Sequence, residues 1–139
     1  MPNTLDLDII TPGAAKFNGK AEIVVAPGGG GDLAALPSHA PMLTTLRVGV
    51  LRATVADGDG TRRLELAVNG GFMQITPAKV IVLTDLALAA GEINVETARR
   101  DQKRAEEELA QKHGVDDRAE RKAVAWAQAQ LEVAGKHSS

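Results

Sequence analysis

Beyond Gly91 the chain carries no proline, whereas before it glycine or proline interrupts the sequence every few residues. Proline cannot donate to a helix or sheet ladder, and glycine costs backbone entropy inside either. The two stretches therefore cannot share one architecture. The first, up to about Leu83, is rich in Val, Ile, Leu and Thr, residues suited to a pleated, half-buried surface. The second is dominated by Ala, Glu, Arg, Lys and Gln, all strong helix formers.

In the first stretch Leu5, Leu7 and Ile9 alternate with Asp6 and Asp8, the pattern of a strand with one buried face. Residues 20–26 read as a second strand, closed by Pro27 and a run of glycines. Residues 48–56 and 61–68 flank Asp57-Gly58-Asp59-Gly60, a hairpin signal. Asn69-Gly70-Gly71 reads as a further turn, and strands at 72–75 and 79–84 are separated by Pro77. Many short strands at this spacing point to an N-terminal antiparallel β-sandwich rather than alternating β and α units.

In the second stretch Asn94 suits an N-cap, Glu96 a first turn, and His113-Gly114 a helix end. Asp116 and Asp117 then cap a second helix running towards Val133, with Gly135 closing it. Val95, Ala98, Gln102, Ala105 and Leu109 share one face of the first helix. Ala119, Ala123, Trp126 or Ala127, and Leu131 line the second. Alanines let two helices approach closely, which favours a C-terminal antiparallel two-helix hairpin. Its apolar stripe is thin, so the hairpin must lean on the β domain or on a partner. The expected division is residues 1–86 and 87–139, with residues 87–91 as the hinge.

A net charge of -2 supplies no attraction to phosphate backbones or anionic lipid. Phe17, Phe72 and Trp126 are too few to stack single-stranded bases. Nucleic acid is thus not an expected partner. The absence of cysteine removes disulfides, thiol chemistry and Cys-based zinc sites. His39, His113 and His137 lie far apart with no second ligand at helical spacing, so no metal is expected. The acidic start MPNTLDLDII does not resemble a signal peptide, which leads to a cytoplasmic expectation. No apolar run reaches the roughly 20 residues of a membrane span, so membrane association is expected only through a complex.

The segment PGGGGDLAALPSHAPML, residues 27–43, reads as a shaped loop system. Four glycines permit left-handed backbone angles, and Pro37 and Pro41 oppose regular pairing. It lacks the Lys-Ser/Thr of a phosphate loop, and Pro37 blocks the helix such a cradle needs. Asp32, Ser38 and His39 lie too close along the chain for triad geometry. A connection at a contact surface is the better reading. On the helices, Arg99, Arg100, Lys103 and Arg104 precede Glu106, Glu107 and Glu108, a solvated face with i,i+4 pairs. Arg118, Arg121 and Lys122 form a second basic cluster suited to an acidic partner surface. Trp126 reads as core of the hairpin, with an anchor on a partner as the alternative.

Pro27-Gly28-Gly29-Gly30-Gly31-Asp32-Leu33 followed by Leu36-Pro37-Ser38-His39-Ala40-Pro41-Met42-Leu43-Thr44 resembles the epsilon subunit of F-type ATP synthases. Val68-Asn69-Gly70-Gly71-Phe72-Met73, residues 80–87, and Lys103-Arg104-Ala105-Glu106-Glu107 extend the likeness along nearly the whole chain. The resemblance implies a non-catalytic central-stalk rotor subunit that links the gamma subunit to the c-subunit ring and couples proton flow to ATP synthesis. It also implies a helical hairpin able to restrain ATP hydrolysis. By position, Thr11, Gly28, Gly29, Gly30, Gly31, Asp32 and Leu33 would face the c ring, and His39, Ala40, Pro41 and Met42 the gamma subunit. Arg118, Arg121 and Lys122 would supply regulatory contacts to the alpha and beta subunits. The implied location is the cytoplasmic face of the bacterial inner membrane, as a peripheral component.

Family members that bind ATP carry Ile/Leu-Asp-x-x-Arg-Ala where this chain has Ile93-Asn94-Val95-Glu96-Thr97-Ala98. Asn94 and Thr97 replace the aspartate and arginine, and threonine has neither the charge nor the donor fork of arginine. No cofactor is expected, and ATP binding is expected to be weak or absent. The competing expectations are a nucleotide-sensing module whose hairpin closes on ATP, and a hydrolase centred on His39.

Overall fold

The computed structural model describes residues 4–112 and 115–135. Among the described residues seven strands precede two helices: β1 (Leu5–Thr11), β2 (Ala14–Gly28), β3 (Gly31–Ala35), β4 (Met42–Asp57), β5 (Gly60–Ile75), β6 (Lys79–Leu83), β7 (Ala87–Leu88), α1 (Val95–Ala110) and α2 (Arg118–Gly135). A single 3-10 turn, Ala90–Glu92, joins β7 to α1.

The alternation in β1 does what its pattern requires. Leu5, Leu7 and Ile9 are buried while Asp6 and Asp8 remain half-exposed, paired with Lys20 and Lys79. Strand β1 pairs antiparallel with β2 and parallel with β6. These pairings close the path β1-β6-β5-β4-β2 on itself, with β3 on the outer side of β2. The result is a barrel-like sandwich. The antiparallel expectation holds for every pairing but β1 with β6. Leu7, Ile9, Val24, Leu51, Val55, Val68, Met73, Val80 and Val82 fill its interior. Each such side chain is worth about 1.5–3 kcal/mol of burial.

The hairpin at Asp57 forms as expected, with Asp57 opposite Gly60 and Gly58 at φ 60. The expected turn at Asn69-Gly70-Gly71 does not. Strand β4 pairs with β5 on both sides of it, so β5 bends there without reversing. Gly70 and Gly71 take φ 79 and 123, and a Cβ on Gly71 would stand 2.0 Å from the Leu83 carbonyl oxygen. Only glycine fits. The bend carries β5 from its pairing with β7 to its pairing with β6.

Asn94 caps α1, accepting a hydrogen bond from the Thr97 amide at 2.9 Å. Asp116 accepts from the Arg118 amide at the start of α2. The expected helix end at His113-Gly114, and His137, lie outside the described residues. The α1 face is as read, with Ala98 and Ala105 buried and Val95, Gln102 and Leu109 half-buried. In α2 the face is displaced: Ala119 and Ala123 are exposed, while Glu120, Val124, Ala127 and Leu131 are turned inward. Alanine on every side of α2 leaves its apolar phase ambiguous in sequence. Helix α2 rests on β4 and β5, with α1 packed on it. Trp126, Ala129 and Val133 meet Val50, Ala67, Ala90 and Ile93. Trp126 therefore faces the sandwich, where the sequence reading put it inside the hairpin.

Candidate partner-docking faces

Residues 27–43 are mostly paired strand, not free loop. Gly28 stands opposite Gly31, leaving a two-residue connection, Gly29-Gly30. A Cβ on Gly28 would meet the Gly31 carbonyl oxygen at 2.6 Å, and one on Gly29 the Thr45 hydroxyl at 2.5 Å. Of the four glycines only Gly31 uses a left-handed φ, 135°. The Gly29 amide donates to the Thr45 carbonyl at 2.9 Å, which ties the tip to β4. From β4, Arg47 donates to the Gly28 carbonyl at 2.6 Å and to the Asp32 carboxylate at 2.5 Å. Leu33 packs on the sandwich core. The arrangement is a braced, exposed tip bearing an acid whose charge is already balanced.

Apart from the Gly29-Gly30 turn, irregular backbone in this segment is confined to residues 36–41. The Ser38 amide donates to the Pro77 carbonyl at 2.8 Å, and Ser38 takes φ 69. The His39 amide donates to the Leu36 carbonyl at 3.1 Å, and its ring Nδ1 lies 2.7 Å from the Ala40 carbonyl oxygen. Ala40, Pro41 and Met42 are exposed. Asp32, held by Arg47, sits at the other end of β3 from this loop. Ser38, His39 and Asp32 do not assemble into a triad.

Between these two features lies a surface the sequence reading missed. Ile10 pairs with Leu83, Leu83 with Phe72, and Phe72 with Thr45, so their side chains share the outer face of four strands. Ile10, Phe72 and Leu83 are all exposed, Phe72 by 55%. Leu43, 71% exposed and two residues before Thr45, continues the patch along β4, whereas Met42 pairs with the buried Ile75 and is exposed on the other face of the strand end. Thr11 lines the same face, in a shallow depression of about 390 Å³ with Ile10, Phe72 and Leu83. It stands four strand spacings from Gly29, roughly 20 Å along the sheet. A signal was present. Phe72-Met73 and Val80-Ile81-Val82-Leu83 are apolar on both strand faces, although only one can reach the interior.

The basic residues of α2 are engaged locally. Arg118 pairs with Asp116 at 2.8 Å and Arg121 with Asp117 at 3.0 Å, while Lys122 is exposed. The Arg118 side chain holds the Asp116 carboxyl below its ordinary value, and Asp116 raises Arg118 in turn. At the start of α1, Asn94 is occupied as a cap and the Thr97 hydroxyl accepts from Arg100 at 3.3 Å. Among the described residues no group of three or more metal-ligating side chains is gathered, and no helix is long and apolar enough to cross a membrane.

The profile of the ATP synthase delta/epsilon chain beta-sandwich domain matches residues 4–90. The ATP synthase epsilon chain of Desulforamulus reducens is 42% identical over 112 residues, which are 81% of this chain and 82% of that one. The chain belongs to the ATP synthase epsilon-chain family. The epsilon chain of Moorella thermoacetica extends the likeness into the helices, at 39% identity over 95% of this chain and 97% of its own. Two solved assemblies share the fold. A chain of the Euglena gracilis mitochondrial ATP synthase, solved with OSCP, F1 and c-ring, superposes with a TM-score of 0.79 at 17% identity, over 96% of this chain and 82% of that one. A chain of the central stalk and c-ring of the Tetrahymena thermophila mitochondrial enzyme gives 0.56 at 14% identity, over 97% and 96%.

Proposed function

We propose that this family member is the central-stalk element that joins the gamma subunit to the c ring of a proton-translocating ATP synthase, and that it is not itself a catalyst. The observation that carries the reading is the open apolar face of Ile10, Phe72, Leu83 and Leu43. An apolar surface of this extent on a small domain calls for a permanent partner. In this reading that partner is gamma, with His39, Ala40, Pro41 and Met42 at the margin of the contact. The tip formed by Gly28, Gly29, Gly30, Gly31, Asp32 and Leu33 meets the c ring, whereas Thr11, which lines the apolar face with Ile10 and Phe72, falls to the gamma contact. Torque passes best through a stiff element. The double tie of Arg47 to the tip supports that role.

Residues 1–86 act in this reading as the docking domain, and residues 87–139 as the hairpin that restrains ATP hydrolysis. Arg118, Arg121 and Lys122 reach the alpha and beta subunits when the hairpin leaves the sandwich, exchanging local acids for those of the partner. ATP is not retained, because Asn94 and Thr97 serve the helix start instead of a phosphate. The location is the cytoplasmic face of a bacterial inner membrane, reached through the complex. Co-expression with the cognate gamma subunit tests the central claim: the two chains co-purify in equal amounts. Recovery of this chain free of gamma overturns it. Hydrolysis by the assembled enzyme rises on deletion of residues 88–139 if the hairpin restrains it.

A further inference from the structure

Arg52 and Glu65 are cross-strand partners on β4 and β5, on the outer face that also carries Val50 and Ala67. The Glu65 side chain is only 4% exposed; the Arg52 Nε donates to it at 3.1 Å, and the Arg63 Nε stands 3.7 Å from the same oxygen. A second nitrogen of the same guanidinium pairs with Glu132 of α2. One arginine thus bridges a buried acid of the sandwich and an acid of the helix, across 80 residues of sequence. The apolar seat beside it is modest: three of its seven members, Ala67, Ala90 and Ala129, are alanines.

Resting on the reading that the hairpin leaves the sandwich, we propose that Glu65, Arg52 and Glu132 form a clasp that sets how much of the population keeps α2 seated, and that the clasp opens without stripping the buried acid of its hydrogen-bonded arginine. Taking a hydrogen-bonded cation away from a buried carboxylate is costly, and Arg63 at 3.7 Å is too distant to replace the Arg52 hydrogen bond. Here that cost never arises, because Arg52 belongs to the sandwich and stays with Glu65 when α2 departs. Only Glu132 exchanges a protein partner for water, and it is already 49% exposed. A groove of about 320 Å³, lined by Asp32, Arg47, Arg52, Gln128 and Glu132 among others, brings water and salt to the pair. The link therefore has the strength of a surface ion pair and is weakened by salt. The division of labour makes release reversible: Glu65 keeps Arg52 in place for the returning helix.

The test uses the full chain alone, so its outcome does not depend on any partner subunit. The chain has no cysteine, so Asp59→Cys on the β4–β5 hairpin and Lys103→Cys on α1 accept two spin labels selectively. Pulsed EPR distances then report docked and released hairpins. Glu132→Gln raises the released-to-docked ratio about two- to fivefold. Raising salt from about 0.05 to about 0.5 M moves the unsubstituted chain in the same direction and leaves Glu132→Gln unresponsive. Arg52→Gln releases the helix and also lowers the thermal midpoint of the sandwich, which Glu132→Gln does not. Identical distance distributions for Glu132→Gln and the unsubstituted chain at both salt concentrations overturn the proposal. Equal loss of thermal midpoint in the two variants overturns it as well.

Discussion

The Asp32 carboxylate lies 2.5 Å from Arg47, whose other terminal nitrogen reaches the Gly28 carbonyl at 2.6 Å. One side chain from β4 thus holds both arms of the glycine hairpin. Arg47→Gln is expected to speed amide exchange at Gly29 and Gly31 several-fold while costing at most about 1 kcal/mol of global stability, since the pair is exposed. Unchanged exchange at those two amides would show that the Gly29–Thr45 hydrogen bond suffices to hold the tip.

Gly71 is the least replaceable residue of the sandwich. Its φ of 123 and the 2.0 Å approach of the Leu83 carbonyl oxygen leave no room for a Cβ. Gly71→Ala is expected to cost about 3 kcal/mol or more in urea denaturation. Gly30→Ala, where a Cβ meets nothing within 4 Å, is expected to cost less than about 1 kcal/mol. Similar costs at both sites would mean that β5 re-routes around the bend.

Phe72 and Leu83 separate docking from folding. Both project outward, so the double change Phe72→Lys with Leu83→Glu, which sets opposite charges across the pair, should leave the stability in urea within about 1 kcal/mol of the parent. The same variant should fail to co-purify with gamma. Retained association would move the contact elsewhere on the sandwich.

The linker carries its own acid-sensitive tie. The Ala89 backbone amide first, and then the Lys16 ammonium at 2.6 Å, hold the Glu92 carboxyl below its ordinary value of 4.5. A depressed carboxyl stabilises the fold fully above its unfolded value and loses that contribution as pH falls through the folded one. The difference in thermal midpoint between the parent and Glu92→Gln should therefore be largest at neutral pH and vanish as the pH drops well below 4.5. Asp6, lowered by Lys20, and Asp116, lowered by Arg118, titrate in both proteins and cancel in the difference. A difference that persists at low pH would assign the effect of Glu92→Gln to packing.

Local chemistry was legible where it acts within a few residues. The alternation of β1, the Asp57–Gly60 hairpin, the Asn94 cap and the inward face of α1 follow directly from residue type and spacing. Asn69-Gly70-Gly71 misled because a bend and a reversal both call for positive φ. The partner strand alone distinguishes them. The segment at residues 27–43 misled similarly, since its glycines were counted as freedom when two of them serve close packing against Gly31 and Thr45. In α2 small apolar residues on every side hid which face would meet the sandwich.

From sequence come the two architectures, their order, their local signals and the family likeness, because each depends on a residue and its near neighbours. Tertiary structure alone decided which charges meet. Asp32 and Arg47 are 15 residues apart, Lys16 and Glu92 are 76, and Arg52 and Glu132 are 80. It also decided that Ile10, Phe72 and Leu83 would form one outward face, since strand register turns separate apolar residues into a surface. Pairing in space is set by loop closure and sheet register, and no local pattern encodes either.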